Sequence, residues 1–280
     1  MHPQRLEFES RTVYYREQDC FTASPLHLVH AYAHPNYNLK LHSHQFYELN
    51  IITAGEGQHY VGDASLPVRA GDVFLLPPEV PHGYHSEGRL DIFHILLRAQ
   101  FMQRYREELA ALPAHALLFD IEPHLRRSSG QSCHLHLPSH VRESLTADAE
   151  HIARAEQNGE LAYANVLTLA LIGRLGELLR RSLHRDPVQA EARELLEVME
   201  FVRENCEQKL TLDALATKAR MSKATLNRRF GELLHQSPMQ YVLHCRLEKA
   251  RALLSNGAHS KTEIAHLCGF YDVAHMNKYL

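Results

Sequence analysis

A chain of 280 residues, 45% hydrophobic and 22% charged with a net charge of −3, has the composition of an ordinary globular protein with room for two cores. No apolar run reads as long enough to cross a membrane, and the opening MHPQRLEFES lacks the apolar centre of a secretion signal, so no membrane role and a cytoplasmic location are expected. The five cysteines, Cys20, Cys133, Cys206, Cys245 and Cys268, include no CxxC pair and fit reduced thiols rather than a disulfide or zinc framework.

Up to about Arg98 the chain reads as short strands. Leu26 to Ala33, Phe46 to Thr53, Gln58 to Val61, Leu66 to Arg69 and Val73 to Leu76 are rich in β-branched and aromatic residues. Gly55, Gly57, Gly62-Asp63 and Gly71-Asp72 punctuate them, and DIFHILL from Asp91 to Leu97 closes the set. Many short strands without a long helix predict a barrel or jelly roll. Inside lies HSHQFYELNIITAGEG. On one strand His42, His44, Phe46 and Glu48 project to the same face, which sends two imidazoles and a carboxylate into the barrel interior. With 22 histidines in the chain, histidine spacing alone is weak evidence for a site. His134 and His136, in CHLHL, read as strand-surface or packing residues.

From Ala99 to Arg185 the period becomes helical. FMQRYREELAAL is amphipathic, and two longer helices follow. The second carries an apolar stripe through Leu161, Leu167, Leu171, Leu175, Leu178 and Leu179. His184-Arg185-Asp186-Pro187-Val188 reads as a linker because Pro187 breaks the helix.

TLDALATKARMSKATLNRRF, Thr211 to Phe230, predicts two short helices with N-caps at Thr211 and Ser222. Leu212, Leu215 and Ala216 form the buried stripe of the first, and Leu226 and Phe230 that of the second. The other face of the second helix carries Lys223, Thr225, Asn227, Arg228 and Arg229, chemistry suited to a major groove. The pattern recurs: Ile264-Ala265 lies forty-nine residues after Leu215-Ala216, and an offset of fifty carries Ser222 onto Asp272, Ala224 onto Ala274, Asn227 onto Asn277 and Arg228 onto Lys278. Between the copies Tyr241, Cys245, Ala252 and Leu253 mark a connecting helix. Lys209 to Lys278 holds 11 Lys and Arg against 5 Asp and Glu, +6, which leaves −9 on the remainder. A DNA-contacting module at one end of the chain explains that asymmetry.

The run LxxLA, MSxxxLxRxF, SPxxYxxxxRLxxAxxLL and IAxxxGFxD, here Leu212 to Ala216, Met221 to Phe230, Ser237 to Leu254 and Ile264 to Asp272, is similar to the AraC/XylS-type transcription regulators. Residues 38 to 83, including GDVFLLPPEVPH from Gly71 to His82, resemble the two motifs of the cupin barrel. The resemblance implies a mixed fold: an N-terminal all-β cupin-like barrel (1–98), a helical segment (99–188) that either pairs two subunits as a homodimer or packs on the barrel, and an all-α double helix-turn-helix domain (189–280). It implies a regulator that binds double-stranded DNA through Ser222, Lys223, Ala224, Thr225, Asn227, Arg228, Val273, Ala274, Asn277 and Lys278, with RNA polymerase as a partner if it activates.

In that reading His42, His44, Glu48 and His82 hold a small-molecule effector such as a monosaccharide by hydrogen bonds, with no cofactor. In metal-binding cupins the same four positions hold iron, manganese or zinc. The alternative is a metal-dependent cupin oxygenase or isomerase with a helical appendage, and the internal repeat favours the regulator, which is not an enzyme. Two departures from the family pattern stand out. His235 occupies a position where the family has glycine, and Leu280 falls inside the second recognition helix, as though the chain were truncated. Met276 and Leu280 are therefore expected to lack support, and Lys278 to contribute less to DNA binding than Arg228.

Overall fold

Tyr47–Val61 is a single strand of 15 residues that the sequence alone divides at Gly55 and Gly57. It belongs to a computed structural model that describes residues 13–39, 41–61, 64–112, 118–119, 135–183, 190–234, 236–256 and 259–280. Two compact units emerge, Met1–Ser182 and Leu183–Leu280. The turn at Gly62-Asp63, Cys133, His134, the linker His184 to Val188 and His235 lie outside the described residues.

The strands of the first unit are β1 (Val13–Tyr15), β2 (Val29–His34), β3 (His42–His44), β4 (Tyr47–Val61), β5 (Ala64–Arg69), β6 (Asp72–Leu76), β7 (His82–His85), β8 (Leu90–Leu97) and β9 (Leu135–His136). The first half of β4 pairs with β6 and β8, and its second half with β5 and β7. A register shift between Ile52 and Ala54 marks where it passes from one sheet to the other. Gly55 sits at that bend with φ 77°, and a Cβ there would lie 1.7 Å from the Arg89 carbonyl oxygen, so the glycine permits the strand to continue rather than ending it. Ile52, Val61, Leu66, Val68, Phe74, Leu76, Tyr84, Leu90 and Ile92 fill the space between the sheets.

Helices α1 (Glu17–Cys20), α2 (Ala99–Arg104), α3 (Arg106–Ala111), α4 (Ser139–Gln157) and α5 (Leu161–Leu183) complete this unit. α4 packs on β2, β4 and β8 and buries Leu145, Ala149 and Ile152. The helices that follow the barrel therefore share its unit and its core. In α5 the expected stripe is buried at Leu171, Leu175 and Leu179 and only half-buried at Leu161, Leu167 and Leu178. One expectation is corrected here. Leu161–Arg181, 21 residues at a mean hydropathy of 1.3, is long and apolar enough to cross a membrane by length and composition, although its charged residues interrupt the run. A core helix meets the same test, and burial of Ile172, Leu175 and Leu179 accounts for this composition.

The second unit consists of α6 (Ala190–Asn205), α7 (Leu212–Lys218), α8 (Lys223–Leu234), α9 (Pro238–Asn256), α10 (Lys261–Leu267) and α11 (Val273–Asn277). The caps follow the sequence: Thr211 accepts from the Ala214 amide, Ser222 from the Thr225 amide and Asp272 from the His275 amide. Ser260 and Glu263 form a full capping box on α10. In each copy the turn holds one left-handed residue, Arg220 (φ 54°) in the first and Gly269 (φ 75°), forty-nine positions on, in the second. A side chain at Gly269 would meet the Glu207 carbonyl oxygen at 2.4 Å, whereas Arg220 tolerates the strain. The connecting helix α9 spans 19 residues and buries Tyr241, Val242, Cys245 and Ala250, while the Ala252 side chain lies outside the description.

Candidate functional site

His42, His44, Glu48 and His82 meet in the barrel interior, all at most 3% exposed. They arrive from three strands rather than along one. The extended backbone breaks after β3, so His42 and His44 stand on β3, Glu48 on β4 and His82 on β7, whose His82 pairs with His42. Phe46, expected on the same face, stacks on the His44 ring at 4.5 Å and packs with Phe21 and Leu96 on its other sides. Glu48 Oε2 lies 3.2 Å from His44 Nε2, and its Oε1 lies 3.8 Å from His82 Nε2 and 3.1 Å from His94 Nδ1.

Hydrogen bonds to backbone carbonyls settle two tautomers. The carbonyls of Phe46 and Val80 only accept, so His44 Nδ1 (2.7 Å) and His82 Nδ1 (3.0 Å) carry protons and donate. Each neutral ring then turns a bare Nε2 towards the Glu48 carboxylate. Acceptors that face one another attract only across a positive charge, either a second proton on His44 or a metal cation. Burial alone would raise the Glu48 carboxyl, but the hydrogen bonds from His44, once its ring carries the second proton, and from His94 outweigh it and hold it well below the usual carboxylate range. Burial pushes His82 down to about 3 against the opposing pull of Glu48. Ligand atoms of His42, Glu48 and His82 lie within 4.8 Å of one another. The donor set, with Nδ1–H groups anchored on carbonyls, fits a divalent ion.

Two polar residues that the sequence reading passed over belong to the same interior. Asn50 is fully buried on β4 with neither amide atom hydrogen-bonded, and His94 is fully buried on β8 with Nε2 unpartnered. They are cross-strand neighbours in the β4–β8 register. A buried polar group left unpaired costs about 1–3 kcal/mol. Tyr32 stacks on the His94 ring at 5.1 Å and Tyr37 approaches it at 4.7 Å, which fixes the ring. A separate open cleft of about 1230 Å³ is lined by Glu56, Arg69, Asp72, His85, Arg89 and His136, and contains none of the four expected residues. There the half-exposed His136 pairs with Asp72 at 2.8 Å.

A second cluster, His27, His30 and Glu156, has metal-like spacing but different chemistry. The Thr22 amide donates to His27 Nδ1 at 2.8 Å, so the proton of that neutral ring lies on Nε2, which donates to Glu156 Oε1 at 2.7 Å. A protonated Nε2 offers no lone pair to a metal. His30 Nδ1 reaches the same oxygen at 2.7 Å, and the Ala31 amide donates to Oε2 at 2.9 Å. The carboxylate thus clamps α4 to β2. Glu156→Ala leaves buried donors unsatisfied and is expected to cost about 1–3 kcal/mol in urea unfolding, with no response to a chelator. Unchanged stability would rule out the clamp.

In the second unit Leu226 and Phe230 are fully buried, while Ser222, Lys223, Ala224, Asn227 and Arg228 are exposed on one side of α8 and its cap. Thr225 is half-buried, with its hydroxyl 2.8 Å from that of Ser222. Arg228 pairs with Glu232 at 2.8 Å and Lys223 with Asp213 at 2.9 Å. Arg229 does not join that face. Its side chain is 15% exposed and lies 3.6 Å from Glu194 on α6. In the second copy Ala274, Asn277 and Lys278 are exposed and Val273 is half-buried. Met276, expected to stand without support, is fully buried among Ile264, Ala265, Cys268 and Phe270. The helix ends at Asn277, ahead of Leu280.

The sequence matches the family model of the AraC-like ligand binding domain over residues 24–163, half of the chain, and that of a helix-turn-helix domain over residues 215–280. The uncharacterized HTH-type transcriptional regulator YfiF of Bacillus subtilis is 28% identical over 243 residues, 84% of this chain and 73% of YfiF. The HTH-type transcriptional activator RhaS of Escherichia fergusonii is 26% identical over 245 residues, 84% of this chain and 81% of RhaS. Among solved structures, an AraC-type transcriptional regulator from Chromobacterium violaceum is 31% identical, covering 31% of this chain and 78% of that one at a TM-score of 0.30. With a cupin-like ligand domain ahead of two capped helix-turn-helix copies, the chain belongs to the AraC-type transcription regulators, DNA-binding proteins that respond to a small-molecule effector.

Proposed function

We propose that the chain is a cytoplasmic, non-catalytic transcription activator that works as a homodimer with RNA polymerase. Its effector, a small neutral polar molecule such as a monosaccharide, binds in the barrel among His42, His44, Glu48 and His82. The observation that carries this reading is a fully buried polar cluster in the ligand domain of a chain whose other unit presents paired helix-turn-helix copies. Support for activation comes from the name of RhaS. Support for a dimer comes from α5, which exposes Tyr163 and Val166 (47% and 54%) on the side away from its buried leucines. In functional terms the chain divides at 1–98 for effector binding, 99–188 for pairing and 189–280 for DNA. Fluorescence anisotropy on the DNA upstream of its own gene, with and without candidate sugars, tests the response. Operator affinity indifferent to every sugar would count against it.

The groove-facing set is Ser222, Lys223, Ala224, Thr225, Asn227 and Arg228, with Val273, Ala274, Asn277 and Lys278 in the second copy. To reach a base Arg228 must leave Glu232, but an exposed i,i+4 pair is worth only about 0.3–0.5 kcal/mol. A bidentate contact to guanine contributes about 1–3 kcal/mol of discrimination. Arg228→Ala is therefore expected to weaken specific binding by about 1–3 kcal/mol and relax preference at one base pair. Equal weakening on all sequences with a smaller salt slope would make the residue a phosphate contact instead.

A second reading, a metal-responsive regulator, is favoured by the bare Nε2 atoms of His44 and His82 facing Glu48. His42, His44, Glu48 and His82 would hold the ion, which would supply the positive charge that these acceptors share. Elemental analysis of untagged protein separates the readings. Near one equivalent of a transition metal, lost in His44→Ala, selects the metal.

A further inference from the structure

We propose that Asn50 and His94 form a recognition subsite for a vicinal diol on a neutral ligand. The proposal deepens the effector reading above and rests on the barrel being the effector chamber. Asn50 and His94 face each other in the β4–β8 register, on the same face of β4 as Glu48 and Ile52. Both are 0% exposed, and three of their polar atoms, Asn50 Nδ2, Asn50 Oδ1 and His94 Nε2, have no hydrogen-bond partner.

The chemistry of those atoms selects the ligand. His94 Nδ1 lies 3.1 Å from Glu48 Oε1, and a carboxylate only accepts, so Nδ1 holds the proton of the neutral ring and Nε2 is an acceptor. Asn50 adds one further acceptor and an amide nitrogen with two N–H donors. The complement is two donated hydrogens and up to two accepted, which two adjacent hydroxyl groups supply together. A carboxylate or phosphate lacks the hydrogens and meets the buried charge of Glu48. An ammonium supplies hydrogens but cannot accept from Asn50. The ring is set before a ligand arrives: Tyr32 stacks on it at 5.1 Å with 25° between planes, and Tyr37 lies 4.7 Å away.

The test uses the full chain and a panel of D-galactose, L-arabinose, D-xylose and myo-inositol, set against D-galacturonate and D-galactosamine. Calorimetric titration is expected to show at least one neutral member binding, with the charged members at least tenfold weaker. Asn50→Leu and His94→Phe should each weaken that binding tenfold or more. Asn50→Leu should keep or raise the thermal midpoint, because it removes an unpaired amide, whereas a purely structural amide would lower it. Nitrogen-15 NMR should place the His94 proton on Nδ1. Binding by no neutral member, equal binding of galacturonate, unchanged affinity in both variants, or a proton on His94 Nε2 in the neutral ring would each overturn the subsite. If a sugar binds through Asn50 and His94 without changing operator affinity, the subsite stands and the effector reading fails.

Discussion

Phe230→Ala is expected to remove about 3–5 kcal/mol from the stability of the DNA-binding unit and to abolish specific binding with it. Phe230 is fully buried on α8, with its ring edge-on to Tyr241 of the connecting helix at 5.9 Å. Truncation leaves a cavity where α8 meets α9, and neighbouring helices close such a gap only partly. The loss would take a large share of the roughly 5–15 kcal/mol typical of a domain. It exceeds the effect of removing Arg228 because that side chain is exposed and paired with Glu232 in the free protein. Urea unfolding followed by circular dichroism measures the first quantity and anisotropy on the operator the second. Wild-type stability with lost DNA binding would mean that the ring acts on DNA rather than on the core.

The helix-turn-helix copies were legible because their determinants are local. Caps at Thr211, Ser222 and Asp272 and stripes at i, i+3 and i+4 lie within a few residues of one another, and each forms as the spacing predicts. Arg229 was misplaced because helical spacing knows nothing of a neighbouring element. It is the arrival of Glu194 on α6 that draws the guanidinium off the exposed face. Met276 shows the same limit, since its burial depends on Ile264 and Phe270 closing over a helix of five residues.

In the barrel the histidines and glutamate could be listed but their route could not. His42, His44 and Glu48 converge across a strand break, and His82 joins them through the β3–β7 register. Asn50 and His94 escaped notice because DIFHILL reads as one apolar closing strand and Asn50 as a lone polar residue in another. Only the β4–β8 register places them side by side. Gly55 misled in the opposite direction: it carries a bend within β4 rather than the end of a strand.

The stability of the barrel unit is expected to fall steeply in acid, by on the order of 4–5 kcal/mol between neutral pH and pH 3. Burial holds His82 at about 3, against an ordinary value of 6.5 for an unfolded imidazole. Between those values the unfolded chain binds a proton that the folded chain refuses, so its contribution is complete above about 6.5 and is lost as pH drops towards 3. At about 1.36 kcal/mol per unit, that interval sets the size of the effect. Glu48 acts in the same direction at lower pH. Its folded carboxyl lies well below the ordinary 4.5, so the stability it contributes is present above that value and fades as pH falls through the folded one. His82→Asn removes the imidazole that resists protonation, and its urea midpoint, read from barrel tyrosines by near-ultraviolet circular dichroism, should depend much less on pH between 6.5 and 4 than that of wild type. A metal held by the same residues would also be displaced by protons, so the titration is repeated with a chelator. A slope that survives chelation belongs to the buried imidazole, one that vanishes belongs to the metal, and a slope unchanged in His82→Asn would mean that other groups govern the acid limb.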